Sequence, residues 1–308
     1  MKTLEELNRR LSGVRDMQSV VATMKMLAAG SIRQYESAAD ATNQYNRIIQ
    51  LALQILLQNE NRISGHKNTA ERSLAQRLSS GGSNLGRKGI VLFGTDQGLC
   101  GRFNEEVVAE VSRFLESKHL TQRPLGLLIG GRLVSLMESV EVERTGIYHV
   151  PANVPDITRL LQDIVPEILT WQRDHDLQQV DLFYNRRTST ASYQPVHRRL
   201  LPLAPELLQQ LQQRKWESRG LPVFRLPTNE LLSGVVQQYL FVQLFRACAE
   251  SRASENASRI ASMQRAEKNI EEKLAQLQTS FNQQRQNSIT EELMDIMSGF
   301  RVAISDTR

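Results

Sequence analysis

The stretch Gly94-Thr95-Asp96-Gln97-Gly98-Leu99-Cys100-Gly101 is the first place to look for chemistry. It follows an apolar run at 90–94 and opens a segment of helical periodicity at 104–118. Three glycines between a strand and a helix can cradle an anion on backbone N–H groups, because a helix N-terminus favours negative charge. The spacing is not Gly-x-Gly-x-x-Gly, and no acidic residue ends a second strand about 20 residues further on. The glycines therefore read as the means of a tight turn, with Asp96 as a turn residue. Cys100 sits where a helix start can lower a thiol pKa; a packed free thiol is the plainer reading. Cys248 is far from it in sequence, and the pair has no metal-ligand spacing. His66, His119, His149, His175 and His197 are scattered singly. Gly81 to Lys88 lacks the Gly-Lys-Ser/Thr ending of a phosphate loop and precedes a strand where such a loop follows one. No carboxylate pair or Ser–His–Asp set stands out. Catalytic, metal and cofactor-binding residues are therefore not expected, and neither is a cofactor.

A second candidate lies near the C-terminus, in SFNQQRQNSITEELMDIMSG at 280–299. Ile289, Leu293, Ile296 and Met297 share one helical face. Gln283, Gln284, Arg285, Gln286, Asn287, Ser288 and Thr290 form a run of hydrogen-bonding side chains. This is either the solvated face of a coiled coil or a surface that makes polar contacts with an encircling partner.

The elements that position these residues follow from periodicity. Leu4, Leu7, Leu11, Val14, Met17, Val21, Met24 and Ala28 recur in steps of three and four, with one extra three-step near Met17. Thr3 can cap that helix, with Glu6 three residues on. Gly13 and Gly30 interrupt it, each at a cost of about 1 kcal/mol against Ala; their small size suggests close approach of another helix. From 235 to 298 there is neither Gly nor Pro, and the apolar seam runs through Leu240, Leu244, Cys248, Ile260, Met263, Ile270, Leu274, Leu277, Phe281, Ile289, Leu293 and Phe300. Two such helices joined by a middle domain pair most simply as an antiparallel coiled coil. The nine prolines all fall between Pro124 and Pro227. Apolar runs at 90–94, 125–129 and 180–184 read as buried strands, with further strands at 142–150 and 193–201. Helices are expected at 104–118 and 156–172, and a short one at 131–139. Strands alternating with helices suggest a mostly parallel, Rossmann-like sheet. The expected division is an N-terminal coiled-coil helix at 1–59, a polar basic linker or insertion at 60–88, the α/β domain at 89–227 and a C-terminal coiled-coil helix at 228–308. The fold class is thus α/β with two long terminal helices.

The formal charge of +5 is mild. Its surplus collects at 60–88, where six basic residues face two acidic ones. A nucleic-acid surface wants a basic stripe on a structured element, so no nucleic-acid partner is expected. No run of about 18 apolar residues exists to span a bilayer, and the N-terminus lacks the apolar core of a secretory signal.

Four segments, in order, resemble one family. Met24-Lys-Met-Leu-Ala-Ala29 with Arg33 is similar to AMxMVAAxKxR, and Thr95 to Gly101 with Asn104 to SDRGLCGGLN. Ala253 to Arg259 with Met263 is similar to LASExAARMxAM. Phe281-Asn282, Arg285-Gln286, Ile289-Thr290 and Glu292-Leu293 are similar to YNxxRQAxITxEL. The chain resembles the gamma subunit of F-type ATP synthases over almost its whole length.

That resemblance implies a non-catalytic rotor shaft. Its helices would turn inside a ring of alpha and beta subunits. Its α/β domain would stand on the c-subunit ring with epsilon, peripheral to the cytoplasmic face of a bacterial inner membrane. Protons are the expected coupling ion; a sodium-translocating alternative ATPase and a stand-alone coiled-coil scaffold are the other readings. By the same carry-over Met24 falls where the shaft meets the beta subunit's moving lever, and Arg285, Gln286 and Thr290 where it meets a beta-subunit loop. Lys25, Glu292 and Leu293 join them as contacts to the alpha/beta ring, and 293–303 would enter an apolar bearing. Asp96, Gly98, Cys100 and Gly101 belong to the motif turn of the foot domain. The chain departs from the family at 16–21, where NTxKIT is lost, at Arg102 and Phe103, in the 60–88 segment, and in its tail at 304–308. It has no cysteine pair of the kind that gives the chloroplast subunit redox control.

Overall fold

A computed structural model describes residues 3–64, 78, 87–118, 122–174, 177–189, 192–216, 220, 222 and 224–305. The insertion expected at 60–88 therefore lies largely outside the described residues. In order the elements are α1 (Leu4–Ser64), β1 (Lys88–Phe93), α2 (Phe103–Glu116), β2 (Leu125–Ile129), α3 (Leu133–Leu136), a 3₁₀ turn (Met137–Ser139), β3 (Glu143–Tyr148), α4 (Val154–Asp174), β4 (Gln179–Arg187), β5 (Tyr193–Leu201), α5 (Pro205–Gln213) and α6 (Thr228–Ser305). The chain divides into two compact units, 1–28 with 260–308, and 29–259. Both boundaries fall inside the long helices rather than at their ends.

The larger unit is built on a five-stranded sheet of order β3-β2-β1-β4-β5. β3, β2, β1 and β4 are parallel, and β5 returns antiparallel to β4. Successive residues of a strand point to opposite faces, so a strand covered on both sides must be apolar throughout. β1 meets that demand. Ile90 and Leu92 pack with Val107, Val111 and Phe183 on the α2 side. Val91 and Phe93 pack with Leu161, Ile164 and Ile168 of α4 and with Leu240, Leu244 and Cys248 of α6. Leu53, Leu56 and Leu57 of α1 close a third cluster with Leu208 and Leu211 of α5 and Leu232 of α6. The sequence reading did not foresee α5. Pro166 lies in the interior of α4, while Pro155 and Pro205 stand in the first turns of α4 and α5.

The smaller unit is an antiparallel helix pair. Leu7 and Leu11 of α1 are buried with Leu277 of α6, flanked by Val14, Leu274 and Phe281. Nearer the other end of the unit Lys25 pairs with Glu267. The Thr3 hydroxyl accepts the Glu6 N–H at 3.2 Å, so the expected cap is present.

Three expectations about the helices need correction. The seam does not pass through Met17, which is 60% exposed. Gln18 and Lys25 are half-buried instead, so the seam keeps a regular three-four alternation through polar side chains whose stems can cover apolar surface. A Cβ at Gly13 or Gly30 would meet nothing within 4 Å, so neither glycine serves close helix packing. Ile289 and Leu293 are exposed rather than part of a buried seam.

Candidate functional site

The turn after β1 is held by side chains from several elements. Asn104 Oδ1 accepts the Thr95 N–H at 3.0 Å, and its Nδ2 donates to the Thr95 hydroxyl at 2.8 Å. Both residues are buried, so each satisfies the other where water cannot. Asp96 does more than shape the turn. Its carboxylate accepts the Gly131 N–H at 2.6 Å and the Val150 N–H at 2.8 Å. It thereby ties together the ends of β1, β2 and β3. The N–H groups it takes belong to the segments after β2 and β3, not to the glycine turn itself. Gly101 has φ 64°, the left-handed region that glycine enters without strain. A Cβ at Gly98 would come within 3.1 Å of the Arg132 guanidinium. Cys100 is buried, and burial pushes its thiol pKa up, partly offset by the Thr95 hydroxyl. That environment disfavours the thiolate, so the reactive-cysteine alternative is set aside.

The turn docks on α6. The Ser258 hydroxyl donates to the Cys100 carbonyl at 2.5 Å. Asn185 of β4 donates to the Phe103 carbonyl at 2.7 Å. Phe103 packs on Tyr193 with ring centroids 5.1 Å apart. Burial, with Glu106 nearby, pushes the Tyr193 phenol up to about 12.

Around Ser258, from Arg252 to Arg259, α6 carries a charged ladder. Glu255 is 2% exposed and takes Arg252 on one oxygen and Arg259 on the other, the latter at 2.6 Å. Asn256 adds a contact to Arg259 at 3.0 Å. Arg252 also lies over the Tyr35 ring, 5.3 Å from its centroid. Burial works against the charge of Arg252, but Glu255 and Tyr35 outweigh it and hold its pKa above the usual arginine range. The Tyr35 hydroxyl donates to the Ala152 carbonyl at 2.9 Å. Two sequence motifs, 95–104 and 253–259, thus meet in space through Ser258 and Cys100, while Tyr35 of α1 links Arg252 to the segment after β3. The sequence reading missed Tyr35 and Arg252. Arg252, Glu255 and Arg259 stand at three- and four-residue spacing beside Ala249, Ala253 and Ala257, which was a legible sign of charge on a packed face. Tyr35 carried no such sign.

The other singled-out residues lie in the helix pair. Met24 and Lys25 are half-buried on α1. Arg285, Gln286, Thr290, Glu292 and Leu293 are exposed on α6, and the Thr290 hydroxyl is turned back to the Gln286 carbonyl at 2.9 Å. Gln284 and Ser288 of the polar run are half-buried. No group of three metal-ligating side chains occurs among the described residues.

A family model described as ATP synthase matches residues 3–302. The ATP synthase gamma chain of Glaesserella parasuis is 27% identical over 310 residues, covering 97% of this chain and 99% of that one. That of Desulfitobacterium hafniense is 26% identical over 301 residues, covering 97% and 98%. Among solved structures, a chain of the Euglena gracilis mitochondrial ATP synthase rotor superposes with a TM-score of 0.62 at 17% identity, covering 93% of this chain and 98% of that one. A chain of the Tetrahymena thermophila central stalk and c-ring gives 0.51 at 21% identity, covering 80% and 99%. At such identities the superpositions speak for the fold. The sequence match, spanning all but the extreme ends, decides descent: this chain belongs to the ATP synthase family, among its gamma chains.

Proposed function

We propose that the chain is the central-stalk rotor shaft of an F-type ATP synthase, carrying rotation between a c-subunit ring and the alpha and beta subunits. The observation that carries this reading is the presence of two long helices, of 61 and 78 residues, that pair antiparallel in the smaller unit, in a member of this family. Shaft and body need different chemistry. A shaft needs stiffness along its length and a surface without strong adhesion, and the stretch from Arg285 to Glu292, exposed apart from Ser288, is mostly polar. No helix among the described residues is long and apolar enough to cross a membrane, which suits a subunit held at the membrane through its partners.

The finer reading is ours as well. The chain is non-catalytic, and the chemistry of ATP belongs to the subunits around it. Epsilon binds beside the α/β domain, and the assembly lies on the cytoplasmic face of a bacterial plasma membrane with protons as the coupling ion. Met24 and Lys25 meet the moving lever of a beta subunit. Arg285, Gln286, Thr290, Glu292 and Leu293 meet the ring near its top.

One experiment tests both levels. Tagged chain expressed in its host co-purifies with alpha and beta subunits; recovery of the chain alone would overturn the shaft reading. In the same complex the double variant Arg285→Ala, Gln286→Ala loses a charge-assisted hydrogen bond of about 1.5–3 kcal/mol from Arg285 and a neutral one of about 0.5–1.5 kcal/mol from Gln286. The expected slowing of ATP hydrolysis is roughly ten-fold or more. Wild-type hydrolysis and ion pumping in that variant would remove these residues from the contact.

A further inference from the structure

The Tyr35–Arg252–Glu255 cluster is built differently from the packing around it. Above it on α6, Leu240 and Leu244 meet the sheet and α4 through apolar contacts. Apolar packing is non-directional, and a helix held only that way can roll about its own axis at small cost. The cluster adds directional contacts on three sides of α6. Toward α1 the Arg252 guanidinium lies over Tyr35, whose hydroxyl in turn bonds the Ala152 and Pro151 carbonyls after β3. Toward the turn after β1, Ser258 donates to the Cys100 carbonyl. Toward the end of β4, the Tyr184 hydroxyl donates to Glu250 at 2.7 Å, and Arg246 holds the other oxygen of that carboxylate at 2.7 Å. Along α6 itself Glu255 bridges Arg252 and Arg259. A buried ion pair adds little net stability over well-packed apolar groups, but its geometry is exacting, and removing one partner leaves an uncompensated charge. Such a cluster is a poor glue and a good register pin.

We propose that Tyr35, Arg252 and Glu255 act as a torsional lock that fixes the rotation of α6 about its own axis against the α/β body, so that helix and sheet turn as one piece. They are positioning residues and touch no nucleotide. The proposal rests on the rotor-shaft reading, because only a part that carries torque needs its helix pinned against roll. Without the lock, part of each stroke would be spent rolling α6 in its socket instead of turning the sheet.

The test uses the whole complex in inside-out vesicles, with ATP hydrolysis and ATP-driven ion uptake measured together. Uptake is followed with a pH-sensitive dye and with labelled sodium. Three variants are compared: Arg252→Leu, Arg252→Lys and Tyr35→Phe. The expected result for Arg252→Leu is an assembled complex that hydrolyses ATP at close to the wild-type rate but takes up about three- to thirty-fold fewer ions per ATP against an opposing gradient. Arg252→Lys, which keeps the charge, recovers part of that loss. Tyr35→Phe keeps the ring beneath Arg252, removes the two carbonyl contacts and the Arg252 Nε hydrogen bond to the phenol oxygen, and lies between. A wild-type ratio of uptake to hydrolysis in assembled Arg252→Leu complexes would overturn the lock. So would a failure of both Arg252→Leu and Tyr35→Phe to assemble, which would make the cluster a folding element only. Coupled uptake by wild-type complexes containing the chain keeps the rotor reading separate from either result.

Discussion

Cys100 faces the Thr95 hydroxyl at 3.8 Å and the Gln97 carbonyl at 3.7 Å; Glu255 and Arg259 act on its thiol in opposite directions, and burial outweighs both and raises its pKa. Cys248 is buried as well, and desolvation pushes its thiol up to about 12. Both thiols should stay protonated and shielded near neutral pH. A chromogenic disulfide reagent is therefore expected to react slowly with the native chain and to titrate both thiols at once in denaturant; rapid labelling of Cys100 in the native chain would contradict the burial argument. At this scale the sequence was legible in part. A turn made by glycines could be read from Gly94 to Gly101. That Asp96 would reach Gly131 and Val150 could not, because those partners lie 35 and 54 residues away. Arg252 and Tyr35 are 217 residues apart, beyond any local pattern.

Elements were easier to read than residues. β2 and β5 appear at the expected positions, because a strand buried on both faces must be a run of apolar residues and β5 alternates beside it. α5 was overlooked although Pro205 at its first turn and Leu207, Leu208 and Leu211 at helical spacing announced it. The seam of α1 misled for a physical reason. Hydrophobicity pointed to Met17, whereas the heptad geometry of the pair selects Gln18 and Lys25, with Lys25 answered by Glu267. The turn after β2 offers a sharp test at this scale. Gly130 has φ 122°, and a Cβ there would stand 2.7 Å from the Thr95 nitrogen and 2.9 Å from the Gly94 carbonyl carbon. Gly130→Ala is expected to cost about 1–3 kcal/mol from backbone strain alone and to lower the midpoint of denaturant unfolding. Gly234→Ala, where a Cβ meets nothing within 4 Å, should not be destabilising and provides the control.

For the whole 29–259 unit, stability should fall at alkaline pH. Burial, reinforced by Glu167, pushes Tyr148 up to about 12; burial, with Glu106 nearby, does the same for Tyr193; and Tyr184 is raised further by burial and Glu250. Each folded pKa lies above the ordinary value of 10.0, so the folded unit holds these protons more tightly than the unfolded chain. The stabilisation is complete below about pH 10 and is lost as pH rises toward 12. Tyrosinate absorbance and circular dichroism followed together should show unfolding in that window. Titration of all six tyrosines near pH 10 with the fold intact would contradict it.

The sheet order has one more consequence. In open α/β sheets of this order, the crevice beyond the carboxyl ends of the two central strands is where a mobile ligand usually sits. Here β1 and β4 flank that crevice, and the chain lays its own α6 against it through Ser258 and Cys100. The guest is covalently tethered to its host. Its occupancy is set by the effective concentration of a linked segment rather than by the concentration of anything dissolved. A seat that other proteins of this architecture leave for exchangeable cargo has become a permanent mount, filled from the moment the chain folds and insensitive to dilution.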